Sequence, residues 1–218
     1  MCGRFAFWSP TEAAAALFDF DPAFAMEPRY NIAPSLDIAA VRAAGAERRE
    51  LVKLRWGFIP SWATDPSIGN RMINARAETV AEKPAFRNAY RKRRCLILAD
   101  GFYEWRKEKG GKTPYFISLA SGEPFAFAGL WEPWTDKETG ESRETATIVT
   151  TAASDFLATL HDRMPVVLGP DTASAWLGGQ PVEAVIDNPP ELRAWPVERQ
   201  VNNARTEGPE LIKRAAKG

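Results

Sequence analysis

The stretch "RCLILADGFYEW" at residues 94–105 constrains the fold more than any other. The run from Cys95 to Ala99 is apolar without interruption, too short for a buried helix and closed by a turn pair, so it reads as a strand covered on both faces. Asp100 and Gly101 carry hairpin turn chemistry, and Phe102 to Trp105 supply the returning strand. A covered strand needs neighbours, and candidates recur along the chain: "LVKLRWGFIPSW", "RMINARAETV", "TPYFISLA", "PFAFAGLWEPW" and "TATIVTTAA". The linker "TDKETGESRET" reads as a solvated loop. Helical signals are few and short. Ser9, Pro10 and Glu12 read as cap, first-turn proline and capping-box acid of a helix running through Ala13 to about Phe18. A second short helix is expected from Ser154 to about His161, with Pro165 beyond it, and a third opens at Asp171. This pattern predicts an α+β fold, with a curved mostly antiparallel sheet or partly closed β-barrel, in a single domain over residues 1–218.

Composition narrows the function. Lys plus Arg and Asp plus Glu balance at 28 each, so affinity for an acidic partner must come from local placement of charge. Two cysteines and one histidine cannot assemble the usual structural zinc site, and no Gly-rich phosphate loop is present; neither a metal nor a cofactor is expected. No basic leader and no apolar run of roughly 18 residues is found, which predicts a soluble, cytoplasmic chain without membrane contact.

Chemistry concentrates at a few positions. Loss of Met1 would leave Cys2 as the amino terminus, with an α-amine and a thiol on adjacent carbons. Alternation along an extended Cys2–Trp8 segment would put Cys2, Arg4 and Ala6 on one face, opposite Phe5 and Phe7, so that thiol and guanidinium look out together. Glu104, between two aromatics, is either on a solvent face or partly buried with a raised pKa suited to proton transfer. His161, the only histidine, is either a helix-end cap or an acid–base group. Asn74 and Arg76 share a polar face with Glu78. The cluster "YRKRRC" at 90–95 adds local positive charge, with Trp56, Trp62 and Tyr90 as candidate stacking surfaces for unpaired bases.

Taken together, "MCGRF", "YNIAP", "RWGFIPSW", "INARAET", "CLILADGFYEW", "FAGLW", "IVTTAA" and "HDRMPVVL" occur in the order found in the SRAP (SOS response-associated peptidase) family, which the chain resembles from residue 2 to about 170, with a weaker echo at "VNNARTEGPELI". Members shield abasic sites in single-stranded DNA. The resemblance implies the SRAP fold and a Cys2 that forms a thiazolidine with the ring-opened abasic deoxyribose, giving a covalent DNA–protein cross-link. It further implies that Asn74 hydrogen-bonds near the Cys2 amine, that Glu104 moves protons, and that His161 helps open the sugar. Arg4 and Arg76 would take flanking phosphates, Thr150 another, and Pro34 and Trp62 would lie near bases. The implied partner is single-stranded DNA containing abasic sites, bound by a monomer associated with the nucleoid through DNA, with lyase and self-processing peptidase activities as companions. Two other readings stay open. One is an N-terminal nucleophile amidohydrolase, in which the thiol attacks an amide. The other is a non-catalytic single-strand binding module in which Cys2 is inert.

Overall fold

A computed structural model describes residues 2–45, 48–187 and 189–216. Its strands are β1 (Phe5–Phe7), β2 (Arg29–Ile32), β3 (Asp37–Ala43), β4 (Arg49–Trp56), β5 (Asn74–Arg76), β6 (Arg94–Ala99), β7 (Gly101–Glu108), β8 (Gly111–Leu119), β9 (Phe125–Thr135), β10 (Ser142–Ala152), β11 (Arg163–Pro165), β12 (Val167–Leu168) and β13 (Leu192–Pro196). Short helices interrupt them: α1 (Thr11–Phe18), α2 (Ala77–Val80), α3 (Arg87–Lys92), α4 (Asp155–Ala158), α5 (Pro170–Leu177) and α6 (Val182–Ile186). The fold is α+β, as the strand spacing predicts.

Five strands close on themselves. β4 pairs with β3, β3 with β6, β6 with β9, β9 with β10, and β10 returns to β4 in parallel. Closure leaves no unpaired edge within this ring, and the apolar run of β6, buried from Cys95 to Ala99, belongs to its wall. The long β10 continues past the ring to take β5 in parallel and β11 antiparallel. The other sheet, in order β13-β8-β7-β1-β2, is antiparallel throughout. The main core lies where this sheet meets the barrel, with Phe5 set edge-on against Trp56 and Phe127 at 5.2 and 5.6 Å.

Three sequence expectations are corrected. β6 and β7 are not a hairpin: β6 is a barrel strand, β7 belongs to the other sheet, and the Asp100 corner carries the chain between them. Gly101 is required for space, since a Cβ there would lie 2.1 Å from Phe116 Cζ. Ser9 does not cap α1, whose N-cap is Pro10 without a side-chain bond. The Asp100 carboxylate instead accepts from the Trp8 and Ser9 amides at 2.6 and 2.7 Å and from the Ser9 hydroxyl, so Asp100 pins the end of β1 to the crossing. "RMINARAETV" forms a strand only over Asn74–Arg76 before turning into α2.

The basic cluster at 90–95 is not one exposed face. Arg93 pairs with the buried Glu132, and Arg94 lies over Tyr90 and Trp176 while donating to the Trp176 carbonyl at the end of α5. Trp56 is wholly buried, its indole N–H donating to the Ile73 carbonyl, and the Tyr90 hydroxyl accepts from the Val182 amide. Of the three aromatics singled out for base stacking, Trp62 alone is widely exposed, at 59%.

Candidate functional site

Cys2 enters the seam between sheet and barrel. The β1–β7 pairing reaches one residue beyond the strand, where the Tyr103 amide donates to the Arg4 carbonyl at 2.9 Å. Before Arg4 the chain leaves the sheet, and Cys2, fully buried, packs with Phe5 and Phe7 in the main core. The expected shared face of Cys2 and Arg4 is therefore overturned: alternation holds from Arg4 onward, and the apolar thiol is drawn to the opposite side. From the barrel side, Asn74 Nδ2 donates to the Cys2 carbonyl at 2.9 Å. Asn74 is held there because β5 lies beside β10, with Asn74 opposite Ile148. Its Oδ1 is buried and has no hydrogen-bond donor among the described residues.

Glu104 reaches the same seam from β7. Phe102 packs in the main core and Tyr103 in the smaller cluster behind the sheet, so alternation returns Glu104 to the side of Cys2. Burial raises its carboxyl to about 7, which makes both protonation states available near neutrality. Burial pushes the Cys2 thiol far above its ordinary range, and the neighbouring Glu104 carboxylate adds to that. The thiol therefore rests protonated.

His161 stands at the rim, beyond α4, whose N-cap Ser154 accepts from the Leu157 amide. Its Nδ1 accepts from the Arg163 amide at 3.0 Å and lies 2.8 Å from Asp162 Oδ1. These contacts favour opposite states, an acceptor nitrogen for the amide and a protonated one for the carboxylate. Asp162 is largely exposed, and desolvation lowers the imidazole pKa, so the neutral ring with its proton on Nε2 is the dominant form.

The other expected contacts divide. Arg76 is exposed at the end of β5. Pro34 is half-buried in the turn where the Ser35 amide donates to the Trp56 carbonyl, ahead of the loop that carries Trp62. Arg4 lies behind the sheet, where its Nη1 donates to Asn31 Oδ1 at 2.7 Å and to the Val201 carbonyl at 2.9 Å; it braces the amino-terminal strand. Thr150 is fully buried, its hydroxyl between the Ala75 carbonyl and the Arg163 guanidinium, so a direct phosphate contact is overturned by burial. Arg163, in the quoted "HDRMPVVL", has a part that the sequence does not assign. Its guanidinium grips the Glu78 carboxylate and the Thr150 carbonyl, which fixes the segment whose amide orients His161. Among the described residues no group of three or more His, Cys, Asp or Glu side chains is placed to hold a metal, and no helix is long and apolar enough to cross a membrane.

The family model for SOS response associated peptidase (SRAP) matches residues 1–204. The abasic site processing protein YoaM of Bacillus subtilis (strain 168) is 48% identical over 181 residues, covering 81% of this chain and 79% of that protein. YedK of Escherichia coli (strain K12), also named an abasic site processing protein, is 35% identical over 226 residues, covering 97% and 99%. Among solved structures, a protein from Bacteroides thetaiotaomicron superposes with a TM-score of 0.86 at 24% identity, covering 99% of this chain and 100% of that one, a likeness of fold. A protein from Bordetella bronchiseptica gives a TM-score of 0.77 at 27% identity, covering 90% and 100%.

Proposed function

Because the chain belongs to the SOS response associated peptidase family, we propose that it processes abasic sites in single-stranded DNA by covalent capture on Cys2 once Met1 is removed. The observation that carries this reading is the convergence of two groups on Cys2 in the seam: Asn74 on its carbonyl, and a Glu104 carboxyl poised near neutrality beside its thiol.

The chemistry orders itself by protonation. A freed α-amine has a pKa of about 8, so part of it is neutral and nucleophilic at pH 7, while the buried thiol is still protonated. The amine nitrogen bonds C1′ of the ring-opened aldehyde, the carbinolamine loses water, and an imine results. The thiol sulfur then adds to C1′, its proton ends on the former imine nitrogen, and a five-membered thiazolidine closes with one water released overall. Both nucleophiles sit on one residue, so closure is intramolecular. Glu104 can accept a proton from the ammonium and deliver one to the departing hydroxyl. Asn74 Oδ1, buried without a described donor while Nδ2 holds the Cys2 carbonyl, can accept from the new amine. A neutral His161 with Nε2–H can donate to the ring oxygen as the sugar opens. Arg76, Pro34 and Trp62 remain the proposed contacts to the strand.

Intact mass of the protein before and after exposure to an abasic oligonucleotide tests this. Expected is loss of Met1 followed by a stable adduct of oligonucleotide mass less one water. Cys2→Ala should form no stable adduct yet retain an imine trapped by borohydride and nick the strand by β-elimination. Absence of any Cys2-dependent adduct overturns the reading.

A further inference from the structure

We propose that Asp162 is a positioning residue for His161: its carboxylate holds the Nδ1 proton of a doubly protonated ring, so that the proton delivered to the sugar leaves from Nε2. The inference rests on the covalent-capture reading for its reaction, and on a contact that reading does not use. His161 Nδ1 has two neighbours with opposite demands. The Arg163 amide, 3.0 Å away, donates to a bare nitrogen, whereas Asp162 Oδ1, 2.8 Å away, accepts only from a protonated one. The ring thus has a partner in each protonation state, and in both of them an Nε2–H remains on its far edge. The contact is built into the backbone. The His161 amide donates to the Leu157 carbonyl at 3.0 Å beyond α4, and the Asp162 carbonyl accepts from the Ala153 amide at 3.0 Å, next to the pairing of β10 with β11.

The chemistry calls for such a partner. A neutral imidazole can hydrogen-bond the sugar ring oxygen, but giving up its only N–H proton would leave an imidazolate. The imidazolium has no such obstacle. As the C1′–O4′ bond breaks, its electron pair goes to O4′, which takes the Nε2 proton; the C1′ hydroxyl yields its proton to water and becomes the aldehyde carbonyl. The imidazole is left neutral, its remaining proton on Nδ1 and held by Asp162. The surrounding charges set how much cation stands ready. Lys107 on β7 and the amino-terminal charge oppose it, and burial does so more strongly; Asp162 favours it and also opposes ionisation of Glu104. The Arg163 guanidinium is taken up by Glu78 and the Thr150 carbonyl. The neutral ring therefore remains the resting form, and Asp162 supplies the working fraction of acid.

Asp162→Asn keeps the shape and removes the charge. His161 is the only histidine in the chain, so NMR follows its titration without ambiguity. The imidazole of the variant should lose its proton about half a pH unit lower than that of wild type, the size suited to a largely exposed pair. Capture is then timed in single turnover on two single strands, one with the natural abasic site and one with an acyclic aldehyde in its place, which needs no ring opening. On the natural site the variant should be about threefold slower near pH 8 and equal to wild type near pH 5, where both rings are protonated. On the acyclic aldehyde the two proteins should match at both pH values, and in a His161→Gln background Asp162→Asn should cost nothing more. An unchanged imidazole titration overturns the proposal, as does an unchanged rate on the natural site near pH 8, a loss of the same size at both pH values, or an equal loss on the acyclic aldehyde. Wild type that captures neither strand overturns the capture reading; the titration, read on the protein alone, still decides whether Asp162 holds the Nδ1 proton.

Discussion

Glu104 shows how burial turns an ordinary carboxyl into a reagent, and what that does to stability. Its carboxyl titrates near 7 in the folded chain because burial penalises the charge, whereas in the unfolded chain it ionises in the usual carboxylate range. Between those values the folded state holds a proton that the unfolded state has released. Stability therefore falls as pH rises through that window, and above it the full penalty of a buried charge is present. The displacement corresponds to something on the order of 3 kcal/mol. Glu104→Gln keeps the shape and removes the charge. Urea unfolding of chains retaining Met1 should find the variant close to wild type near pH 4 and more stable by about 2–3 kcal/mol at pH 8. Parallel stability curves for the two proteins would mean that the carboxyl is not desolvated. The same substitution should abolish the pH dependence of imine formation that this group sets.

The corner between β6 and β7 positions Glu104, and it depends on a contact that local pattern does not reveal. Gly101→Ala would drive a Cβ to 2.1 Å from Phe116 Cζ and 2.7 Å from the Ile117 carbonyl. A loss of at least about 2 kcal/mol is expected in chemical denaturation. Combining it with Phe116→Leu should restore part of the loss, because the ring is then shortened where the new methyl lies; no recovery would place the cost in the backbone. The residues explain why the sequence was legible here only in part. The apolar run of β6 and the alternation of β8, β9 and β10 announce strands, since pairing and burial are written into side-chain type. The Asp-Gly pair announces a turn, but its destination is decided by Trp8, Ser9 and Phe116, distant along the chain. Cys2, Asn74, Glu104 and His161 were visible as chemistry, whereas the face each occupies was not: Cys2 leaves the strand just where alternation would have been extrapolated. Arg93 and Arg94 read as a basic patch in sequence because Glu132 and the end of α5, which consume them, lie far off along the chain.

At the scale of the whole chain, the amino-terminal strand is held from behind by the carboxy-terminal segment. Asn31, fully buried in β2, accepts from Arg4 Nη1 and donates through Nδ2 to the carbonyls of Asn203 and Thr206 at 3.0 and 2.8 Å. Glu207 accepts from Arg29 Nε and from the Tyr30 amide, and Val197 bridges to Arg214. These bonds tie the last turns to β1 and β2, on the side of the sheet opposite Cys2. The pocket thus depends on residues that touch none of its chemistry, because Arg4 sets where the chain departs from the sheet toward Asn74. Asn31→Ala would leave the Arg4 guanidinium and two buried-side carbonyls short of partners, a cost of about 3 kcal/mol. Since Cys2, Asn74, Glu104 and His161 are all intact in that variant, unfolding and covalent capture should change in proportion: capture should fall at temperatures where the amino-terminal strand is released and recover on cooling. Thermal unfolding followed in parallel with adduct yield checks this. A variant that loses about 3 kcal/mol yet captures abasic strands as fast as wild type at every temperature would show that Cys2 is held by the barrel through Asn74 alone.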